Sequence, residues 1–142
     1  LYPSTCFFEG TVVSEGRGTL RPFQLFGHPD LADMPFSFVP EPIEGMCSRP
    51  KCEGRVCHGM DLRAEAAGIL SMRRINLEWL LSAYEKYEGE EPFFNSLFDK
   101  LTGDSRVREY IEAGKSEREI RALWENELPG FMAMRQKYLM YD

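Results

Sequence analysis

Long apolar runs are missing from this chain. No stretch approaches the roughly 20 residues of a spanning helix, so no transmembrane segment is expected. An excess of positive charge is missing too. Net charge is −6; residues 1–71 hold 6 basic and 9 acidic groups, and residues 72–142 hold 11 and 14. With both halves equally acidic and no basic patch, a nucleic-acid or anionic-membrane partner is disfavoured. Histidine is scarce. His28 and His58 stand alone, and lone histidines of this kind read as structural despite titrating near neutral pH. There is no nucleophile elbow, phosphate loop or nucleotide fingerprint. Gly16-Arg17-Gly18 supplies two glycines of a dinucleotide loop, but the third is absent and no strand–helix context follows. No cofactor is expected. Internal repeats and low-complexity stretches are also lacking. The chain opens Leu1-Tyr2-Pro3, with neither methionine nor a signal-peptide pattern. It reads as the middle of a longer protein.

Cysteines are few: Cys6, Cys47, Cys52 and Cys57, the last followed by His58. The spacing does not match common zinc ribbons, and adjacent Cys57 and His58 cannot easily face one ion. No metal is expected. Cys47-Ser-Arg-Pro-Lys-Cys52 would close a short disulfide loop around a proline turn in an exported protein; otherwise these are buried or idle thiols.

What is present suits one globular domain. The chain has 142 residues, 43% of them hydrophobic and 28% charged, enough for a real core. Residues 1–63 read as short strands, Thr5–Phe8, Pro22–Phe26, Pro35–Val39 and Arg55–Met60, punctuated by Pro and Gly. Ala64–Met72 is either a short helix or a loop. From Asn76 the period turns helical. Leu77, Leu80, Leu81 and Tyr84 mark one helix, with Asn76 as N-cap. Phe94, Leu97, Phe98 and Leu101 mark a second, opening at Pro92 and closing at Gly103. Val107, Tyr110 and Ile111 mark a third, stopped at Gly114. Ser116-x-x-Glu119 is a capping box for a fourth, which Pro129 should break or kink before Phe131–Leu139 resumes as a fifth. The fold class is α+β: a small, mostly antiparallel sheet in the N-terminal half, then a helical C-terminal half.

Residues 8–19 concentrate polar chemistry. Phe8-Glu9-Gly10-Thr11-Val12-Val13-Ser14-Glu15-Gly16-Arg17-Gly18-Thr19 holds three glycines, three hydroxyls, two carboxylates and an arginine. Such a loop between apolar runs is either an ordinary surface loop or a binding loop carried on rigid elements. Tyr2-Pro3, Cys6, Glu9-Gly10-Thr11, Ser14 to Thr19, Pro22-Phe23 and Gly27-x-Pro29 resemble the opening of the C-terminal domain of the DUF1343 family. Its characterised members are exo-β-N-acetylmuramidases of the NamZ type. The likeness continues in Gly59-x-Asp61-Leu62, Phe93-Phe94, Phe98-Asp99-Lys100-Leu101-x-Gly103 and Tyr138-Leu139-x-Tyr141.

The resemblance implies that residues 1–142 are the auxiliary domain of a two-domain, peptidoglycan-directed glycoside hydrolase. An N-terminal Rossmann-like domain would precede it and carry the principal catalytic glutamate, so the catalytic residue is not assigned within this chain. It further implies a periplasmic or secreted location and a muropeptide or N-acetylmuramic acid glycoside as substrate. Glycoside hydrolysis usually needs two carboxyl groups; Glu9, Glu15, Asp30 and Asp61 are those near the polar loop. They read as substrate-binding or supporting groups facing the cleft between the two domains. The candidate substrate-binding residues are Glu9, Thr11, Ser14, Arg17, Thr19 and Asp61. Arg17 could hold the lactyl carboxylate of muramic acid in a fork. It could equally form a salt bridge with a neighbouring glutamate that fixes the loop. The family's Asn after Glu-Gly-Thr is Val12 here, and its Ala-Pro-Trp is His28-Pro29-Asp30, so those sugar contacts do not carry over. The competing reading is an autonomous carbohydrate- or protein-binding module without catalytic activity.

Overall fold

The computed structural model describes residues 1–141. The chain falls into two compact units, one from Leu1 to Asp104 and one from Ser105 onward. The first unit holds the strands β1 (Leu25–His28), β2 (Phe36–Phe38) and β3 (Cys57–Asp61), and the helices α1 (Tyr2–Thr5), α2 (Ala66–Met72), α3 (Glu78–Glu85) and α4 (Phe98–Thr102). The second holds α5 (Ser105–Glu112), α6 (Glu117–Glu125) and α7 (Leu128–Arg135). The class is α+β, with one small antiparallel sheet, as read from the sequence. Its strand order is β1-β3-β2.

Two glycines hold the sheet together. Gly27 of β1 lies opposite Gly59 of β3. A Cβ on Gly59 would sit 1.7 Å from the Phe26 carbonyl oxygen, and one on Gly27 would sit 2.8 Å from the Phe38 ring. The strands approach this closely only because neither position carries a side chain. Around the sheet lie Phe8, Phe26, Leu25, Leu62, Leu80 and Phe98, all essentially buried. Phe8 stacks on Phe26 at 4.5 Å between centroids, and Phe94 tilts against Phe98 at 4.4 Å. Such aromatic pairs add to their area burial.

Three expectations are corrected. Thr5–Phe8 is not a strand: α1 runs into a 3-10 turn over Cys6–Gly10. Pro3 sits in the first helical turn, where its missing N–H costs nothing, and a short apolar run has no period to separate strand from helix. The second helix does not open at Pro92. Phe94 instead pairs with Thr11 in an isolated bridge, Val12 N–H donates to the Phe93 carbonyl at 2.9 Å, and helix begins at Phe98. Asn95 Oδ1 accepts from Leu97 N–H at 2.8 Å just before that start. The break expected at Pro129 falls a few residues earlier: α6 ends at Glu125 and α7 begins at Leu128, with Pro129 in its first turn.

Other local readings hold. Ala66–Met72 is helical. The N-cap of α3 is Leu77, one residue later than expected, while Asn76 Oδ1 just before it accepts from Glu78 N–H at 2.8 Å. Gly103 and Gly114 follow their helices with φ of 75° and 68°. Ser116 and Glu119 form the reciprocal capping box of α6.

Candidate functional site

The polar loop is tied down at both ends. Thr11 bridges Phe94, and Ser14 exchanges both backbone hydrogen bonds with Gly27 of β1, at 2.9 and 3.0 Å. Between Ser14 and Thr19 the backbone turns sharply, with φ of 82° at Gly16 and 80° at Gly18. A Cβ on Gly18 would meet Pro50 at 2.6 Å, so glycine there lets two loops touch.

The candidate hydroxyls serve this turn. Thr11 Oγ1 donates to the Phe8 carbonyl at 2.9 Å and accepts from Val13 N–H at 3.1 Å. Ser14 Oγ accepts from Gly16 N–H at 3.3 Å. Thr19 Oγ1 donates to the Gly16 carbonyl at 2.7 Å and accepts from Arg21 N–H. Thr11 and Ser14 are fully buried. All three hydroxyls therefore shape the loop from within.

The charged groups form a chain. Arg17 Nη2 donates to Glu9 Oε1 at 2.6 Å, and Arg17 Nε lies 3.1 Å from Glu15 Oε1. Lys51 Nζ lies 3.1 Å from Glu15 Oε2 and donates to the carbonyls of Phe8 (2.7 Å) and Val13 (3.1 Å). Glu15 is buried, with 3% of its side chain exposed; Arg17 is 44% exposed and Glu9 23%. Arg17 also lies over the Phe23 ring at 4.9 Å, a cation–π contact, and its bond to Glu9 raises its pKa further. Glu15 and Lys51 are thus the interior anchor, and Glu9 and Arg17 the accessible edge.

Asp61, at the end of β3, belongs to a separate cluster. Arg63 holds its carboxylate at 2.8 to 3.1 Å, and Arg21 lies 3.3 Å away. The Arg63 bond brings its pKa down to about 2. Of the six candidates, the structure brings Glu9, Thr11, Ser14, Arg17 and Thr19 into one loop. Asp61 approaches it through Arg21, whose N–H binds Thr19.

A third polar group surrounds His28. Its Nδ1 accepts from Asp30 N–H at 3.1 Å and lies 3.6 Å from Asp30 Oδ2; its ring meets Tyr87 edge-on at 5.3 Å. His28, Asp30 and Arg55 line a cavity of about 370 Å³ with Glu88, Glu90 and Glu91. His58 lies 3.1 Å from Ser37 Oγ through its Nδ1. Cys47 and Cys52 are both free thiols, so no disulfide closes the loop between them. Among the described residues no three His, Cys, Asp or Glu side chains form a metal-binding group, and no helix is long and apolar enough to cross a membrane.

Sequence reasoning missed Lys51. Lys51 meets carbonyls 43 and 38 residues away, and nothing local in Pro50-Lys51-Cys52 signals that.

Residues 1–141 match the family described as the C-terminal region of the exo-β-N-acetylmuramidase NamZ. The chain belongs to this family. It is 31% identical over 152 residues to the peptidoglycan β-N-acetylmuramidase NamZ of Bacillus subtilis (strain 168), covering 99% of this chain and 37% of that protein. It superposes with a TM-score of 0.91 and 40% identity on the crystal structure of a DUF1343 family protein from Bacteroides fragilis, covering 99% of this chain and 40% of the other. The chain therefore spans well under half the length of these relatives. The NamZ homologue is a glycoside hydrolase.

Proposed function

We propose that this chain is the C-terminal part of a peptidoglycan-directed exo-β-N-acetylmuramidase and that its loop 9–19 lines the substrate cleft. The observation that carries this reading is the family match over residues 1–141 together with an accessible Glu9–Arg17 edge on a loop anchored from inside. The principal catalytic glutamate belongs to a preceding Rossmann-like domain, and the chain acts with that domain as its partner in the periplasm or outside the cell. The substrate is a muropeptide or N-acetylmuramic acid glycoside.

Arg17 is suited to the acidic part of such a sugar. Its guanidinium has five donors, and two directions are taken by Glu9 and Glu15. A lactyl carboxylate could exchange with Glu9 for the fork, while Glu9 turns to hydroxyl or amide hydrogens of the sugar. Because Glu15 and Lys51 hold the loop independently, this exchange need not disturb the backbone.

The test is hydrolysis of a chromogenic N-acetylmuramic acid glycoside by the full-length protein and by residues 1–142 alone. The full-length protein should turn over and the fragment should not. Turnover by the fragment would place catalysis within this chain, and absence of turnover by both with retained sugar binding would favour a binding module.

A further inference from the structure

Helix α2 is short, largely apolar and uncovered. None of its seven residues, Ala66-Ala67-Gly68-Ile69-Leu70-Ser71-Met72, is buried, and nothing lies within 4 Å of the Cβ position of Gly68. Isolated helices below about 12–15 residues are marginal in water, and a glycine inside one weakens it further. A helix of this length persists only where its apolar side is packed. Among the described residues that packing is missing. Leu70 is 80% exposed, Met72 51%, and Ile75, just past the helix, 40%. Yet the segment is fixed at both ends. Leu62 before it is fully buried, and after it Asn76 N–H donates to Ser4 Oγ of α1 at 2.9 Å. A groove of about 440 Å³ lies between α1 and α2. Ile69, Leu70 and Ile75 line it from one segment, and Leu1 and Pro3 from the other. Arg73 and Arg74 add positive charge to it, and neither forms an ion pair among the described residues.

We propose that this groove seats the part of the same protein that precedes Leu1, through an apolar surface bearing acidic groups opposite Arg73 and Arg74. The proposal rests on the reading that a domain precedes this chain. The matched relatives favour that occupant. This chain corresponds to a C-terminal region and covers 37% and 40% of two of them. In a protein of that length the larger part joins at Leu1, and Leu1 itself lines the groove. The joining chain therefore starts against the surface to be covered, and tethering makes that contact intramolecular. A lipid surface fits less well. Interfacial helices carry a strongly charged, basic face, whereas α2 has no charged residue and the protein has a net charge of −6. Arg63, which holds Asp61, lies just before α2, so the docked part would sit beside that candidate residue.

The full-length protein tests this by two routes. In hydrogen exchange of the unsubstituted protein, the amides of Leu70 to Arg73 should exchange within about tenfold of the rate of those in α3, which has a buried side. In a Leu70→Cys variant, a maleimide should label position 70 at least about tenfold more slowly in the native protein than in guanidinium, at every protein concentration, as read by peptide mapping. Unprotected α2 amides, or native labelling at the unfolded rate, would overturn the proposal. Protection lost on dilution, with a dimeric mass before it, would give the groove to a second copy and overturn it too. Hydrolysis of the muramic acid glycoside by the same sample separates the two readings. Turnover with an open groove sinks only the docking, and concentration-independent protection without turnover upholds the docking while the enzymatic reading fails. The exchange readout needs no variant and holds whether or not Leu70→Cys folds normally.

Discussion

Arg17 and Lys51 are both cations beside Glu15, yet they should respond oppositely to removal. Arg17 is nearly half exposed, and exposed ion pairs contribute about 0–1 kcal/mol. Arg17→Ala leaves Glu15 its Lys51 partner. In the full-length protein, Arg17→Ala and Glu9→Gln should leave the melting temperature nearly unchanged. If these groups bind the sugar, loss of a charged hydrogen bond costs about 1.5–3 kcal/mol, on the order of ten- to a hundred-fold in kcat/KM. Lys51→Met strips a buried carboxylate of its ammonium and two carbonyls of their donor. Arg17 stays beside Glu15 and Lys51 is partly exposed, so the loss falls mainly on the two carbonyls and costs about 1–3 kcal/mol, a drop of several degrees in thermal unfolding. Unchanged kcat/KM in both edge variants, with a lowered melting temperature, would make Glu9 and Arg17 scaffold. The two readings left open for Arg17 thus meet in one geometry: it does bridge neighbouring glutamates, and it is also accessible. The sequence could place Glu9, Arg17 and Glu15 in one loop because they lie within nine residues. It could not separate edge from anchor, since that depends on Lys51, which only tertiary folding delivers.

Elements were legible where their signal was local. Ser116-x-x-Glu119 specifies its own geometry, and the box forms as written. Ser116→Ala should cost about 1 kcal/mol, measured by chemical denaturation; no change would show that helix α6 starts without its cap. Helix α4 was over-extended because Phe94 fits a 3.6-residue period, yet its backbone is claimed by Thr11 more than 80 residues earlier. No periodicity carries that information. Glycines divide in the same way. Gly59 reads as an ordinary strand glycine, but its Cβ position is filled by the Phe26 carbonyl at 1.7 Å. Gly59→Ala must push β1 and β3 apart and should cost more than about 3 kcal/mol. Gly130, in helix α7 with nothing within 4 Å of its Cβ position, should do the reverse. Gly130→Ala should stabilise by about 0.4–1 kcal/mol through loss of unfolded-state freedom. Thermal melts of the two variants settle both; a tolerated Gly59→Ala would contradict the close strand approach.

Across the whole molecule, acidity sets the conditions under which the fold persists. Net charge is −6 and the expected isoelectric point is about 5.0, so between pH 7 and pH 5 the chain loses its excess negative charge. Two carboxylates are held ionised to low pH by their partners. Arg63 holds Asp61 down to about 2, and the Ser116 N–H and hydroxyl hold Glu119 down to about 2. Their unfolded values are about 3.9 and about 4.3. A carboxyl group depressed in the folded state binds fewer protons folded than unfolded, so it stabilises the fold above its unfolded value. That contribution is fully present above about pH 5, declines through pH 4, and is gone below about pH 2. Both groups are at the surface, so each effect is modest and weakens with salt. The melting temperature should therefore change little from these groups between pH 7 and pH 5, then fall towards pH 2, more steeply at low than at high ionic strength. Asp61→Asn with Glu119→Gln should start lower at pH 7 and fall less between pH 4 and pH 2, so that the two curves converge. Parallel curves over that interval would mean that neither carboxylate is linked to folding, and that the Arg63 fork and the Ser116 box are contacts without thermodynamic weight.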